Sequence, residues 1–356
     1  MTAINRLPWL DGLRAIAVSL VLLGHMKLAF QYPPGGMGDI VLRVFNAHVG
    51  VQIFFVISGF IITLLLLREK EADEAINLKA FWRRRAFRIL PALWFFLLAL
   101  AFLQSFGALT IDAQTWLGSL LFYRNHAGDG WFTGHLWSLG VEAQFYLLWP
   151  LFVAYLPLVS LGRVLGIGIM LAASSRCLAA LLNMPELSFY SLLCNLDLLM
   201  FGAMAAIYVE SRGNQMATQK FARLFDALGK KWVWPAIVIL ASLFAFLTST
   251  LWSGFAMVFQ PMLMGMLVSL VITRAYESHG GWRVLGYAPI SLLGVWSYSL
   301  YLWQQLFLAP AGAWPVDTWM SENPIGMLLG LALFALASYY LVERMFNRLG
   351  HKRASV

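Results

Sequence analysis

Residues 49–67 read Val-Gly-Val-Gln-Ile-Phe-Phe-Val-Ile-Ser-Gly-Phe-Ile-Ile-Thr-Leu-Leu-Leu-Leu, a run without a charge, and Arg68, Glu69 and Lys70 follow at once. At a rise of about 1.5 Å per residue such a run matches the roughly 30 Å hydrocarbon core of a bilayer. Comparable apolar runs recur at residues 12–31, 89–106, 136–156, 164–182, 189–209, 233–250, 255–273, 288–308 and 324–342. The expected fold is therefore an all-α integral membrane protein of about ten transmembrane helices, one domain over residues 1–356. Spans of about 20 residues leave on the order of 14 for each loop, so chemistry falls to the helix bundle itself.

Composition agrees. The chain is 60% hydrophobic and 12% charged, where a soluble domain carries about 25% charged residues. That excludes a disordered chain, a collagen and a disulfide scaffold. Cys177 and Cys194 lie in apolar stretches without ligand spacing, so they read as free thiols, and no metal site is expected. The net charge of +8 needs no nucleic acid, because membrane chains collect Lys and Arg in cytoplasmic loops.

Those cations set the orientation. Arg68, Lys70, Lys79, Arg83, Arg84, Arg85 and Arg88 follow the second span, and Arg163 follows the fourth. Arg212, Lys220, Arg223, Lys230 and Lys231 follow the sixth, Arg274 and Arg283 the eighth, and Arg344, Arg348, Lys352 and Arg353 the tenth. Every even exit is basic, which places both termini in the cytoplasm and residues 107–135 and 309–323 outside. Residues 1–10 lack the pattern of a cleaved signal peptide.

The first span carries charges a bilayer disfavours: Asp11, Arg14, His25 and Lys27. A charged residue near a helix centre costs about 2.5–3.5 kcal/mol on translocon scales, so such groups are functional candidates. Arg14 and His25 are eleven residues apart, close to three turns, on one face and about 16 Å apart along the axis. With a cytoplasmic N-terminus, Arg14 lies at the inner boundary and His25 toward the outer half. The plainer alternatives are a histidine satisfied by a carbonyl and an arginine snorkelling to the interface.

Three further stretches matter. Ser58, in the second span, lacks the G-x-S-x-G elbow of a nucleophile, and Ser58-Gly59 reads instead as a place for close helix approach. Arg84, Arg85 and Arg88 gather at the inner end of the third span, either as a positive-inside anchor or as a phosphate grip, with Arg85 and Arg88 on one face. Glu142, in His135-Leu136-Trp137-Ser138-Leu139-Gly140-Val141-Glu142, lies at the level of His25 and could orient that imidazole. Asp11 is about 21 Å away from His25 along its own helix and cannot. Otherwise Glu142 is an interfacial carboxylate held by Arg124 or Trp137. Arg176 and Asp197 read equally as a structural ion pair or as functional groups.

At these residues the chain resembles the bacterial membrane acyltransferase-3 family, polytopic O-acyltransferases of surface polysaccharides and related glycans. The matching pieces are Leu10-Asp11-Gly12-Leu13-Arg14-Ala15 followed by His25, the G-V-x-x-F-F-V-x-S-G-F run of residues 50–60, and Arg84-Arg85-x-x-Arg88-Ile89-x-Pro91. Trp137-Ser138-Leu139-x-x-Glu142, Asp197 with Gly202, Ser297-Tyr298-Ser299-Leu300-Tyr301-Leu302-Trp303 and Val342-Glu343-Arg344 continue in order. The chain departs from the family pattern at Gln304, where many members have histidine, and at Met345, where proline is usual, so neither is given a catalytic role.

The resemblance implies acyl transfer, usually of acetyl, from cytoplasmic acyl-coenzyme A to a hydroxyl of a glycan or lipid-linked saccharide beyond a bacterial inner membrane. It maps Arg14 and His25 onto the family's essential arginine and histidine, and Arg84, Arg85 and Arg88 onto its basic motif. It fixes no oligomeric state. Physically, such transfer needs a base for the hydroxyl proton, support for an oxyanion and a seat for an anionic coenzyme. His25 suits the first task, and Arg14, Arg84, Arg85 and Arg88 the last, about one pantetheine length away. No metal is implied, and the lack of an esterase-like outer segment in this sequence suggests direct acylation of the acceptor. The rival readings are a glycan transporter or flippase, against which stands the lack of internal repeats, and a scaffold in a polysaccharide assembly complex.

Overall fold

The computed structural model describes residues 7–30, 47–127, 130–184, 189–211, 253–278, 282–310, 312–314 and 323–352, and no strand occurs among them. The helices are α1 (Pro8–Ala29), α2 (Ala47–Asp73), α3 (Leu78–Ser105), α4 (Ala113–Leu120), α5 (Trp131–Gly134), α6 (Leu136–Tyr155) and α7 (Leu158–Leu181). They continue with α8 (Leu192–Ser211), α9 (Ser253–Glu277), α10 (Ala288–Val295), α11 (Ser297–Phe307), α12 (Pro324–Ala337) and α13 (Arg344–Lys352). Eight helical stretches among the described residues are long and apolar enough to cross a membrane. The protein is an all-α, multi-pass membrane protein.

Two of the ten expected spans account for the difference. Residues 233–250 and the basic positions from Arg212 to Lys231 lie outside the described residues. Residues 288–308 form two short helices rather than one, because Trp296 turns to φ −83°, ψ −4° and ends α10 before α11 begins. The third span starts earlier than its hydropathy implies. Asn77 caps α3 by accepting the Ala80 N–H at 2.9 Å, so Arg84, Arg85 and Arg88 are inside the helix and not in a loop before it.

The chain divides into two compact units. The first comprises residues 1–13, 52–76 and 144–291. In it α8 packs on α7 and α9, and α2 meets α8 at two glycines. A Cβ on Gly59 would stand 2.0 Å from the Leu199 carbonyl oxygen, and one on Gly202 would stand 2.0 Å from that of Val56. The helices touch backbone to backbone, as the Ser58-Gly59 stretch suggests. Ser58 itself accepts the Tyr146 hydroxyl at 3.1 Å. Lys70 closes the end of α6 by donating to the carbonyls of Val153, Ala154 and Leu156, groups that a helix C-terminus otherwise leaves unpaired.

The first unit also settles Arg176 and Asp197 as a buried ion pair, 1% and 0% exposed. Arg176 Nη1 and Nη2 donate to the two Asp197 oxygens at 3.0 and 2.6 Å, and Nε donates to the Val258 carbonyl at 3.1 Å. A further bond reaches the Cys194 carbonyl. A charge pair buried this way persists only when its remaining donors and lone pairs are also satisfied, which is the case here.

The second unit comprises residues 14–51, 77–143 and 292–356. There α11 packs on α12, and α13 lies along the start of α3, with Phe87 and Phe346 ring centroids 6.4 Å apart. Between α12 and α13 the helix widens to π geometry over Ser338–Glu343, an irregularity that often marks functional positions. Pro91 interrupts the hydrogen bonding of α3, and the Tyr298 hydroxyl donates to the nearby Ile89 carbonyl at 2.8 Å. The connection before α6 is organised by Arg124, whose Nε, Nη1 and Nη2 donate to Thr133 Oγ1, the Ala127 carbonyl and the Gly130 carbonyl at 3.1, 2.7 and 3.1 Å. The cation considered as a holder for Glu142 thus directs these donors to its own loop.

Candidate active site

Arg14, His25, Arg84, Arg85, Arg88 and Glu142 all fall in the second unit. Arg14 and His25 both belong to α1. The His25 imidazole meets the Trp131 indole edge to face, centroids 5.4 Å apart at 87°. The Gln304 side chain lies beside it, yet His25 Nδ1 and both amide atoms of Gln304 are buried and make no hydrogen bond within the protein. A polar atom kept from water without a partner costs about 1–3 kcal/mol, so such a group suggests a ligand.

The same wall holds a second imidazole. Gln305, from α11, points Oε1 at His135, 2.9 Å from its backbone N and 2.7 Å from Nδ1. Trp131 Nε1 donates to the Gln305 carbonyl at 2.7 Å, so α5 contacts His25 directly and the residue that holds His135. The Phe96 and Tyr301 rings flank His135 at 5.5 and 5.4 Å, each edge to face. The Tyr301 hydroxyl donates to the His135 carbonyl at 2.8 Å and pairs with Ser138 Oγ at 2.6 Å. Glu142, one turn beyond Ser138, lies in the electrostatic reach of that hydroxyl.

Arg14 and Arg88 converge on one acidic group. Glu343, the last residue of the π segment, is 5% exposed, accepts the Ser299 hydroxyl at 2.9 Å and lies in the field of both guanidiniums. Arg85 sits over the Phe81 ring at 5.6 Å, a cation–π contact across one turn of α3. A guanidinium set of this kind suits phosphate or carboxylate recognition. Among the described residues no three His, Cys, Asp or Glu side chains group as metal ligands.

The structure thus joins Arg14 with Arg88 and His25 with residues the sequence reading passed over. His135, Tyr301 and Glu343 were within quoted stretches, and Trp131 and Gln305 within the ranges 107–135 and 288–308, but none was given a role. Only His135 had a usable signal, as a second ionisable residue beside an apolar run. Gln304, set aside as a departure from the family pattern, stands next to His25.

Comparison with known proteins places the chain in a family. A family model described as an acyltransferase domain matches residues 7–343. The peptidoglycan O-acetyltransferase OatA of Listeria monocytogenes is 28% identical over 83% of this chain and 48% of its own length. The O-acetyltransferase OatA of Staphylococcus aureus is 26% identical over 97% of this chain and 58% of its own length. The chain spans about half the length of these curated relatives. No solved structure matches it. The chain belongs to the acyltransferase-3 family of membrane acyltransferases.

Proposed function

We propose that the protein transfers an acetyl group from cytoplasmic acetyl-coenzyme A to a hydroxyl of a glycan, of the peptidoglycan class or a lipid-linked saccharide, on the outer side of the bacterial inner membrane. Both named relatives are O-acetyltransferases, one of them of peptidoglycan, and the family match covers nearly the whole chain. The observation that carries the reading is the position of His25, on the same helix as Arg14 and with a buried Nδ1 left unbonded.

In this reading the acceptor hydroxyl gives its proton to His25 as its oxygen attacks the thioester carbon. The tetrahedral intermediate collapses with loss of coenzyme A thiolate, which takes the proton back from the imidazolium. A neutral imidazole accepts the proton in the first step and returns it in the second. The coenzyme phosphates rest on Arg14, Arg84, Arg85 and Arg88 at the cytoplasmic end, and the pantetheine arm covers the roughly 16 Å to His25. Glu142, through the Tyr301 and Ser138 hydroxyls, orients the histidine wall. Both termini lie in the cytoplasm.

The test is labelled acetyl-coenzyme A supplied to membranes carrying the protein, with the glycan analysed by mass spectrometry. Acetylated glycan supports the reading. Glycan that moves across the membrane without gaining mass restores the transporter reading. Exchanging Arg85 and Arg88 for Gln is expected to raise the KM for acetyl-coenzyme A more than that for the acceptor, and an unchanged KM reduces the cluster to a topology anchor.

A further inference from the structure

His135 is a buried titratable group that takes no part in the proton transfer above. Its backbone N–H must donate, and the partner is the Gln305 side chain at 2.9 Å. The atom that Gln305 turns toward it is therefore the oxygen, which has no hydrogen to give. The same oxygen stands 2.7 Å from Nδ1, so Nδ1 carries the ring proton and Nε2 of the neutral ring is a bare lone pair.

That lone pair makes no hydrogen bond within the protein, although the residue is 2% exposed and the Leu302 carbonyl stands near the ring. Phe96 and Tyr301 fix the ring on two sides. His25 is close enough for its charge to be felt at His135, and Trp131 contacts His25 while bonding the residue that pins His135. Gln304, also unbonded, adds an amide donor and acceptor beside His25.

We infer that His135 Nε2 accepts a hydrogen bond from a second hydroxyl of the acceptor, so that the site recognises a polyhydroxylated ring and not a lone alcohol. One hydroxyl hydrogen can serve one imidazole at a time. With His25 engaged by the reacting hydroxyl, the lone pair on His135 selects a ligand that carries another O–H, and the Gln304 amide complements a third polar group. The inference rests on the acetyl-transfer reading for the role of His25, but it concerns binding and can be measured without turnover. His135 is in this account a substrate-contacting specificity residue.

The experiment uses the full chain in detergent or nanodiscs and a soluble N-acetylglucosamine–N-acetylmuramic acid disaccharide, with binding followed by calorimetry or NMR and transfer followed separately. His135→Phe keeps a ring between Phe96 and Tyr301 and removes the lone pair. It is expected to weaken disaccharide binding about tenfold, the worth of one hydrogen bond to a buried group, with the KM for acetyl-coenzyme A unchanged. On the unaltered chain, a set of single deoxy analogues of the disaccharide is expected to contain one, besides that lacking the reacting hydroxyl, that binds about tenfold more weakly. That difference should vanish in His135→Phe.

A folded His135→Phe protein with unchanged affinity overturns the inference. So does a deoxy series with no such member, a result that remains available if His135→Phe does not fold. Failure of the unaltered chain to bind the disaccharide also overturns it. A chain that binds through His135 but transfers no acetyl group leaves the inference standing and removes the acetyl-transfer reading instead.

Discussion

Arg176 and Asp197 show how a charge in a membrane helix can be satisfied within the protein. Four hydrogen bonds and full burial absorb the guanidinium. Replacing Asp197 with Leu would leave that cation buried without its counter-charge, so we predict a loss of about 3–5 kcal/mol, read as a lower Tm of the purified protein. Glu343 differs, because it faces Arg14 and Arg88 together. Glu343→Gln keeps the bond to Ser299 but removes the charge that holds two like charges near each other. We predict a lower Tm and a KM for acetyl-coenzyme A raised by about tenfold, with acceptor affinity unchanged. Sequence alone singled out Arg14, His25 and Glu142 as candidates because an ionisable group in an apolar run is conspicuous. It could not show that Glu343, near the end of the last span and flanked by Arg344, turns inward, since that depends on the π-widened turn before it.

At the scale of elements, the α2–α8 contact depends on two hydrogens. A methyl group on Gly202 would sit 2.0 Å from a backbone oxygen that cannot swing away. Gly202→Ala should therefore force the helices apart and lower the Tm, and Gly59→Ala should do the same by the reciprocal clash with Leu199. A Tm equal to that of the unaltered chain in either variant would show that the helices are not in backbone contact. The α4 cap offers a pH test. Asp112 accepts the Thr115 hydroxyl and backbone N–H at 2.6 and 2.9 Å, which holds its carboxyl below the usual 3.8. The folded value lies below the unfolded one, so the cap's contribution is complete above about pH 4 and fades as pH falls through the folded value. The indole ¹⁵N resonance of Trp116, bonded to Gln104 at 3.1 Å, should shift on acidification in the unaltered chain and stay still in Asp112→Asn. Helix positions were legible because lipid-facing segments are apolar around their whole circumference. The break at Trp296 was not, because both halves of residues 288–308 are equally apolar and hydropathy carries no record of backbone angle.

For the whole molecule, what hydropathy and charge convey is the solvent: lipid for the helices and water for their connections. They placed the candidate residues on helices, yet the approach of His25 to Trp131 and Gln304, or of Arg14 to Glu343, joins segments more than 100 residues apart in sequence. No local pattern encodes such distances. Cysteine labelling of the last described turn from one side of sealed vesicles tests the orientation. Asn347→Cys should react with an impermeant reagent only from the cytoplasmic face, and labelling from the outer face alone would invert the scheme. The most direct trial of the chemistry is the rate of acetyl transfer by His25→Gln protein, present in the membrane at the level of the unaltered chain. Loss of the base is predicted to lower that rate by at least about 100-fold, and an unchanged rate would contradict the account.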